Sequence, residues 1–321
     1  MNSSSQLAPI VLFVYNRPSH ARQTVEALAK NPEAKDSLLY IFADGPKDNA
    51  SDEVKQKIVE LRTYIHTISG FKDVIIEEAD KNKGLANSII SGVTKVIEKY
   101  GKVIVVEDDL VTHKYFLRYM NEALSFYEKD DRIFCIGAIT ENIKIPNSYK
   151  EDVLVVPRVE SCGWGTWIDR WSLAQWDISK YSIWNRNERE IRNFCRGGED
   201  LWPMLQMQAE GKINSWAIRW QYNLSINNKL CLKPVRSLLI NIGMDGTGTH
   251  CGEEGILPTT PLYIKDDYQF RFVPNIQENK KIIKNYQQFY AQNKDNGYLN
   301  IFKKIRAKLA IRTRLKRLFV S

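Results

Sequence analysis

Cysteine is scarce and shows no paired pattern. The five residues (Cys135, Cys162, Cys195, Cys231, Cys251) are odd in number and widely spaced, with no C-x-x-C among them. That excludes a disulfide framework or a zinc ribbon and leads us to expect reduced thiols in a cytoplasmic protein. No run of about 18 apolar residues occurs, so no segment reads as membrane-spanning. The opening MNSSSQLAP has neither the basic nor the apolar region of an export signal. Neither G-x-G-x-x-G nor G-x-x-x-x-G-K-[ST] is present, which leaves the dinucleotide and P-loop readings without support. Internal repeats and low-complexity blocks are also missing.

The chain has 321 residues, 43% of them hydrophobic and 26% charged, with 46 Lys+Arg against 38 Asp+Glu and a net charge of +8. This is a globular composition, sufficient for one large domain or two small ones. The excess charge is confined to one segment. Residues 298–321 hold eight basic side chains (Lys303, Lys304, Arg306, Lys308, Arg312, Arg314, Lys316, Arg317) and no acidic one, leaving 38 against 38 in the rest. A neutral body argues against nucleic acid as a partner, because nucleic-acid binding spreads positive charge over a folded surface.

The first third alternates two hydrophobic periods. Strands are predicted over 9–15, 38–43, 73–77 and 102–106, and helices over 18–30, 51–66 and 85–99. The strand at 102–106 is apolar in all but its first residue, as the buried centre of a parallel sheet requires. Repeated strand–helix–strand units define an α/β fold with a mostly parallel sheet. Beyond residue 110 the pattern loosens to a helix over 113–128 and strands over 132–138 and 153–156. All eight tryptophans fall between Trp164 and Trp220. Residues 261–297 are polar and irregular and read as a linker, so that 1–260 forms the folded domain.

The sharpest chemical feature is Glu107-Asp108-Asp109, directly after the most apolar strand. In open α/β sheets ligands sit outside the carboxyl ends of the strands. Adjacent carboxylates there repel unless a cation neutralises them, and hard oxygen donors suit Mn²⁺ or Mg²⁺. A solvated acidic turn at a helix start is the plain alternative. Polar groups also end the neighbouring strands: Asn16-Arg17-Pro18 the first, Asp44-Gly45 the second, Lys81-Asn82-Lys83-Gly84 the third. With parallel strands these share one edge and form a nucleotide pocket, with Asp44 accepting from a base N–H and cations facing phosphate. Gly163 and Gly165 flank Trp164 and would let it approach a sugar closely; core packing accounts for most of the other tryptophans. Gly246-Thr247-Gly248-Thr249-His250 has the composition of a loop that folds over substrate.

The ordered set PIVLFVYNRP, FADGP, KNKGLANSI, VIVVEDD, CIGAITEN, PRVESCGWGTW, GGEDLWPML, INSWAIRW and NIGMDGTGTH spans residues 8–252. It resembles the nucleotide-sugar glycosyltransferases of the GT-A fold, in particular N-acetylglucosaminyltransferase I and related bacterial proteins. The resemblance implies that Arg17 and Asp44 contact the nucleotide, Asp44 at uracil. It places Glu107 at the ribose, Asp109 on the metal with Asp108 supporting it, and His250 in the metal shell or on the diphosphate. It assigns the catalytic base of an inverting mechanism to Asp200, with Glu199 as the alternative; a helix cap is the competing reading of that pair.

The expectation is therefore a cytoplasmic, metal-dependent, inverting hexosyl- or N-acetylhexosaminyltransferase. It would take a UDP-sugar donor and a glycan or lipid-linked acceptor in bacterial surface polysaccharide or oligosaccharide synthesis. The nucleotide-binding half would be 8–110 and the acceptor half 111–260. A nucleotidyltransferase making nucleotide sugars is the rival enzyme, and it would want a Gly-rich basic loop where Tyr15-Asn16-Arg17-Pro18 stands. A non-catalytic carbohydrate-binding protein is the rival from another class. The basic tail at 298–321 is only roughly amphipathic. Both an anionic membrane surface on the inner face of the cell membrane and a solvated tail fit it.

Overall fold

The computed structural model describes residues 6–179, 181, 187–243, 260 and 269–292. The first four strands are β1 (Ile10–Val14), β2 (Leu38–Ala43), β3 (Asp73–Glu78) and β4 (Lys102–Glu107). Between them come helices α1 (Pro18–Ala29), α2 (Asp52–Ile65) and α3 (Leu85–Tyr100). Each predicted element of this half is present, with bounds shifted by a few residues at most. Local chemistry explains the ends. Pro18 occupies the first turn of α1, where its missing N–H costs nothing. Ser51 caps α2 by accepting from the Val54 N–H, and Gly101 closes α3 in the left-handed conformation.

The second half supplies β5 (Leu110–Thr112), α4 (Phe116–Phe126), β6 (Ile133–Gly137), β7 (Val153–Val156), β8 (Trp164–Trp167) and α5 (Ile168–Trp171). It continues with α6 (Glu188–Phe194), α7 (Leu201–Ala209), α8 (Trp216–Ile226), β9 (Leu230–Pro234), β10 (Leu239–Asn241) and α9 (Lys280–Gln292). Eight strands form one sheet in the order β3-β2-β1-β4-β8-β6-β9-β7, and β5 pairs with β10 in a separate ribbon. Only β8 and β7 run against the others. The chain builds outward from β1 to β3 and then returns to lay β4 on the other side of β1. The strand order therefore reverses between β1 and β4, and the carboxyl ends of strands at such a reversal are where open α/β sheets bind their ligands.

Both faces of the sheet are covered. Ile10, Leu12, Ile104 and Val106 pack in one apolar cluster with α1 and α4, while Val11, Phe13, Val103 and Val105 pack in the other with α3, α8 and α9. The strict alternation is the period-2 signature of a strand buried on both sides.

Two expectations change. Part of the predicted linker is α9, which packs on the sheet through buried Ile282, Tyr286, Phe289 and Tyr290. Their spacing puts all four on one helix face, and the polar residues between them masked it. Trp164 is fully buried and stacks with Trp171 and Trp216 at ring-centroid distances of 5.9 and 5.2 Å, so it belongs to the core and not to a sugar-facing surface. Its flanking glycines serve the packing. Gly163 has φ of +69°, and a Cβ on it would come within 2.2 Å of Leu239 Cδ2; a Cβ on Gly165 would meet the Val103 carbonyl at 2.9 Å. The tail at 298–321 and His250 lie outside the described residues.

Candidate active site

At the end of β1 the chain turns into α1 and presents Arg17 to the end of β4. One guanidinium nitrogen, Nη2, donates to Asp108 Oδ1 at 2.6 Å and to Asp109 Oδ2 at 2.8 Å. Thr24 of α1 donates to the Asp108 carbonyl at 2.8 Å and accepts from the Leu110 N–H at 3.1 Å, which fixes the turn that carries both acids. The predicted convergence of strand ends is thus real for Arg17, Asp108 and Asp109.

Three carboxylates face one arginine here, so the group is short of positive charge. Burial, and then Asp109 and Asp108, push the Glu107 carboxyl up to about 8 against the pull of Arg17. Burial likewise raises Asp108 to about 6, with Arg17 opposing. Burial disfavours the charge on Arg17, yet Asp108 and Asp109 raise its pKa. Arg17 Nη1 is buried with no hydrogen-bond partner among the described residues. Oxygen donors, converging carboxylates and unspent negative charge fit a hard divalent cation. Among the described residues no group of three or more His, Cys, Asp or Glu side chains is placed to hold such an ion by itself. A cation held by Asp109 with Asp108 would thus take part of its shell from a substrate phosphate, as Mg²⁺ commonly does.

A wall that the sequence did not reveal closes one side of the acids. β10 pairs with β5, Asn241 opposite Leu110, and the Ile242 N–H donates to the Asp109 carbonyl at 2.8 Å. Gly243 lies so close that a Cβ would come within 2.0 Å of Asp109 Oδ2 and 2.8 Å of Arg17 Nη1. Asn241 also donates to Cys162 Sγ at 3.7 Å. Cys162 is half-buried, and its thiol pKa is raised by burial first and then by Glu160, Glu107 and Asp109. Short strands such as 110–112 and 239–241 carry too little periodicity to be read without their partner.

Asp44 stands at the same edge in a different role from the one expected. Its carboxylate accepts from the N–H groups of Gly45 (2.9 Å), Lys83 (2.8 Å) and Gly84 (3.0 Å) and from Asn82 Nδ2 (3.0 Å). Those four donors occupy its four lone-pair directions, so it ties the end of β2 to the loop before α3. Lys83 donates through its backbone and is exposed.

Asp200 is buried, and both of its oxygens accept from Arg158, at 2.9 and 2.8 Å. The Arg158 guanidinium lies 3.5 Å over the Tyr290 ring of α9. Asp200 stands at the N-terminal boundary of α7, but its side chain makes no cap hydrogen bond, so it does not cap the helix in the way the alternative reading expected. Both oxygens of this carboxylate are thus turned to Arg158 and away from an acceptor. Glu199 beside it is exposed.

The model of the GNT-I family matches residues 1–181, more than half of the chain. The chain belongs to the GNT-I family. The mostly parallel, two-faced sheet with its acidic strand end is the GT-A-like fold of nucleotide-sugar glycosyltransferases. Among solved structures, TarS of S. aureus is similar at 14% identity and a TM-score of 0.30, over 47% of this chain and 25% of that one. A UDP-glucose pyrophosphorylase complexed with UDP-glucose is similar at 13% identity and a TM-score of 0.37, over 71% of this chain and 90% of the other. The galactosyltransferase LgtC in complex with donor and acceptor sugar analogs follows at 6% identity and 0.34, over 67% and 69%. This chain spans about a quarter of the length of TarS. Likenesses this slight decide nothing about activity.

Proposed function

We propose that this GNT-I family member is a metal-dependent, inverting glycosyltransferase. In this reading it moves a hexosyl or N-acetylhexosaminyl unit from a UDP-sugar to a glycan or lipid-linked acceptor in bacterial surface polysaccharide or oligosaccharide synthesis. The observation that carries it is the meeting of Arg17 with Asp108 and Asp109 at the strand ends where the strand order reverses, the place where α/β sheets bind nucleotides. Residues 8–110 bind the nucleotide and 111–260 the acceptor. Glu107 faces the ribose, Asp109 holds Mn²⁺ or Mg²⁺ with Asp108 beside it, and His250 joins that shell. A bound cation supplies charge neutralisation for the departing diphosphate. Arg17 adds positive charge at the same point, and Lys83 offers an exposed ammonium to phosphate.

Glu199 is the base. It is exposed and within reach of an acceptor from solvent, while Asp200 is buried against Arg158. Its carboxylate takes the proton of the acceptor hydroxyl as that oxygen attacks the anomeric carbon from the face opposite the diphosphate, which inverts the configuration. Among the described residues no helix is long and apolar enough to cross a membrane. The basic residues of 298–321 would hold the enzyme against an anionic membrane beside a lipid-linked acceptor.

The test is UDP release by the purified full chain from a panel of UDP-sugars with Mn²⁺. Turnover with at least one donor is expected, and Asp109→Ala should remove both turnover and Mn²⁺-dependent UDP binding. Absence of turnover with every donor, together with unaltered UDP binding in Asp109→Ala, would refute the reading.

A further inference from the structure

The face of the sheet under α9 carries a set of charges that the catalytic chemistry does not use. Lys233 is the penultimate residue of β9, at a position where the alternation calls for an apolar residue, and it is completely buried. Its ammonium meets Glu160 Oε2 at 2.8 Å, Glu141 at 3.3 Å and the Tyr286 hydroxyl of α9 at 2.7 Å. Tyr286 and Tyr290 also donate to Glu141. Burial disfavours the charge on Lys233, but Glu141 and Glu160 hold its pKa above the usual lysine range. Replacing a buried ion group by well-packed apolar residues is often neutral or stabilising, so stability alone is a weak account of this one.

Its connections run toward the acidic strand end. While Oε2 of Glu160 is held by Lys233, Oε1 accepts from the N–H groups of Ser161 and Cys162 at 2.8 and 2.9 Å. These bonds fix the turn into Gly163, whose positive φ returns the chain to β8. Cys162 Sγ is in turn held by Asn241, whose Oδ1 accepts from the Gly243 N–H at 2.7 Å, and Gly243 abuts Asp109 and Arg17. An unbroken chain of polar contacts thus joins a buried lysine to the back wall of the acidic site.

We propose that Glu160 is a positioning residue of the donor site. Anchored by Lys233 and closed over by Tyr286, it sets the Ser161–Cys162 turn, and that turn sets the Asn241–Gly243 wall against Asp109. The proposal rests on the donor-site reading above, since it assigns the wall of that same site. Helix α9 takes part as well, because its Tyr286 supplies the hydroxyl that completes the coordination of Lys233. The run Glu160-Ser161-Cys162-Gly163 is then a single device, with an anchor, two backbone donors and a left-handed exit.

Two readouts test it on the full chain carrying Cys195→Ser and Cys251→Ser, which leave half-buried Cys162 as the reactive thiol beside buried Cys135 and Cys231. The first is the rate of Cys162 alkylation by iodoacetamide without ligand; the second is the Kd for UDP with Mn²⁺. Glu160→Gln should raise the alkylation rate by about tenfold and weaken UDP by a similar factor, since hydrogen bonds to a charged group are among the stronger ones. Arg196→Ala is the control: it breaks the 2.6 Å pair that ties α9 through Glu278 to the loop before Glu199, and it should leave both readouts unchanged. Equal labelling of Cys162 in the parent and Glu160→Gln, or equal acceleration in Glu160→Gln and Arg196→Ala, would overturn the proposal. If Glu160→Gln does not fold, Tyr286→Phe must accelerate labelling by at least threefold, and failure to do so counts against it. The labelling arm reads the turn without any nucleotide. If the parent binds no UDP, the donor-site reading fails while labelling still decides whether Glu160 holds the turn.

Discussion

Replacing Glu199 and Asp200 in turn separates a base from a structural carboxylate. Asp200 has 4% of its side chain exposed and Arg158 has 11%, and two charge-assisted bonds join them. Asp200→Ala would strip the buried Arg158 guanidinium over Tyr290 of both its bonds to a carboxylate, at a cost of about 3–5 kcal/mol. Asp200→Asn keeps the shape and one acceptor oxygen but loses the charge, which should cost about 2 kcal/mol, the scale of a hydrogen bond to a charged group. Glu199 is exposed, so Glu199→Gln should change stability by no more than about 0.5 kcal/mol while lowering kcat about 10²–10⁴-fold, as loss of a general base does. The assays are urea unfolding for all three variants and steady-state UDP release at a temperature where each is folded. The folded fraction of Asp200→Asn should keep kcat within about tenfold of the parent, a difference of about 1.4 kcal/mol in barrier. A fully stable Asp200→Asn with kcat down a hundredfold, beside an active Glu199→Gln, would show that Asp200 is the base and that Arg158 releases it during turnover.

Three further outcomes follow from the geometry. Gly243→Ala places a methyl group on Asp109 Oδ2, so UDP–Mn²⁺ affinity should fall at least tenfold with little change in the melting temperature, as read by titration calorimetry and a thermal melt. Trp164→Ala should destabilise the fold by about 3–5 kcal/mol, the range for a buried aromatic, while leaving the donor KM of the folded fraction unchanged; a raised KM without loss of stability would restore Trp164 to the sugar site. Glu107 has a carboxyl raised to about 8 in the fold, so without cation the folded state holds a proton that the unfolded chain has released above its ordinary value of 4.5. Stability should therefore be fully present below about pH 4.5 as far as this group is concerned and decline as pH rises towards 8. Melts in EDTA from pH 5 to 8.5 should show this decline, and Mn²⁺ should reverse it; a metal-free melt that rises across that window would contradict the assignment.

Much of the site was legible because it depends on local chemistry. Strand–helix alternation over residues 9–106 placed the ends of β1, β2 and β4, and parallel strands must put those ends on one edge, so Arg17, Asp108 and Asp109 could be grouped from their order along the chain. Their charges and their position after apolar strands are properties of short stretches. Asp44 was placed correctly at the edge, yet its hydrogen-bond partners come from residues 45 and 82–84, and only the fold shows that its oxygens are already taken. The Asp200–Arg158 pair spans 42 residues and the Lys233–Glu160 pair 73, separations that no periodic pattern encodes.

The amino-acid order alone therefore determined the α/β class, the strand ends that meet at one edge, the acidic triplet and the neutrality of the body apart from its basic tail. These follow from hydrophobic period, turn chemistry and charge, which act within a few residues of one another. Tertiary structure alone decided that Trp164 is core, that residues 280–292 close the sheet as a helix, that Arg158 claims Asp200, and that Gly243 stands against Asp109. Each of those depends on which distant segments share one small volume, where burial, lone pairs and the space for a single Cβ are allotted among side chains from every part of the chain.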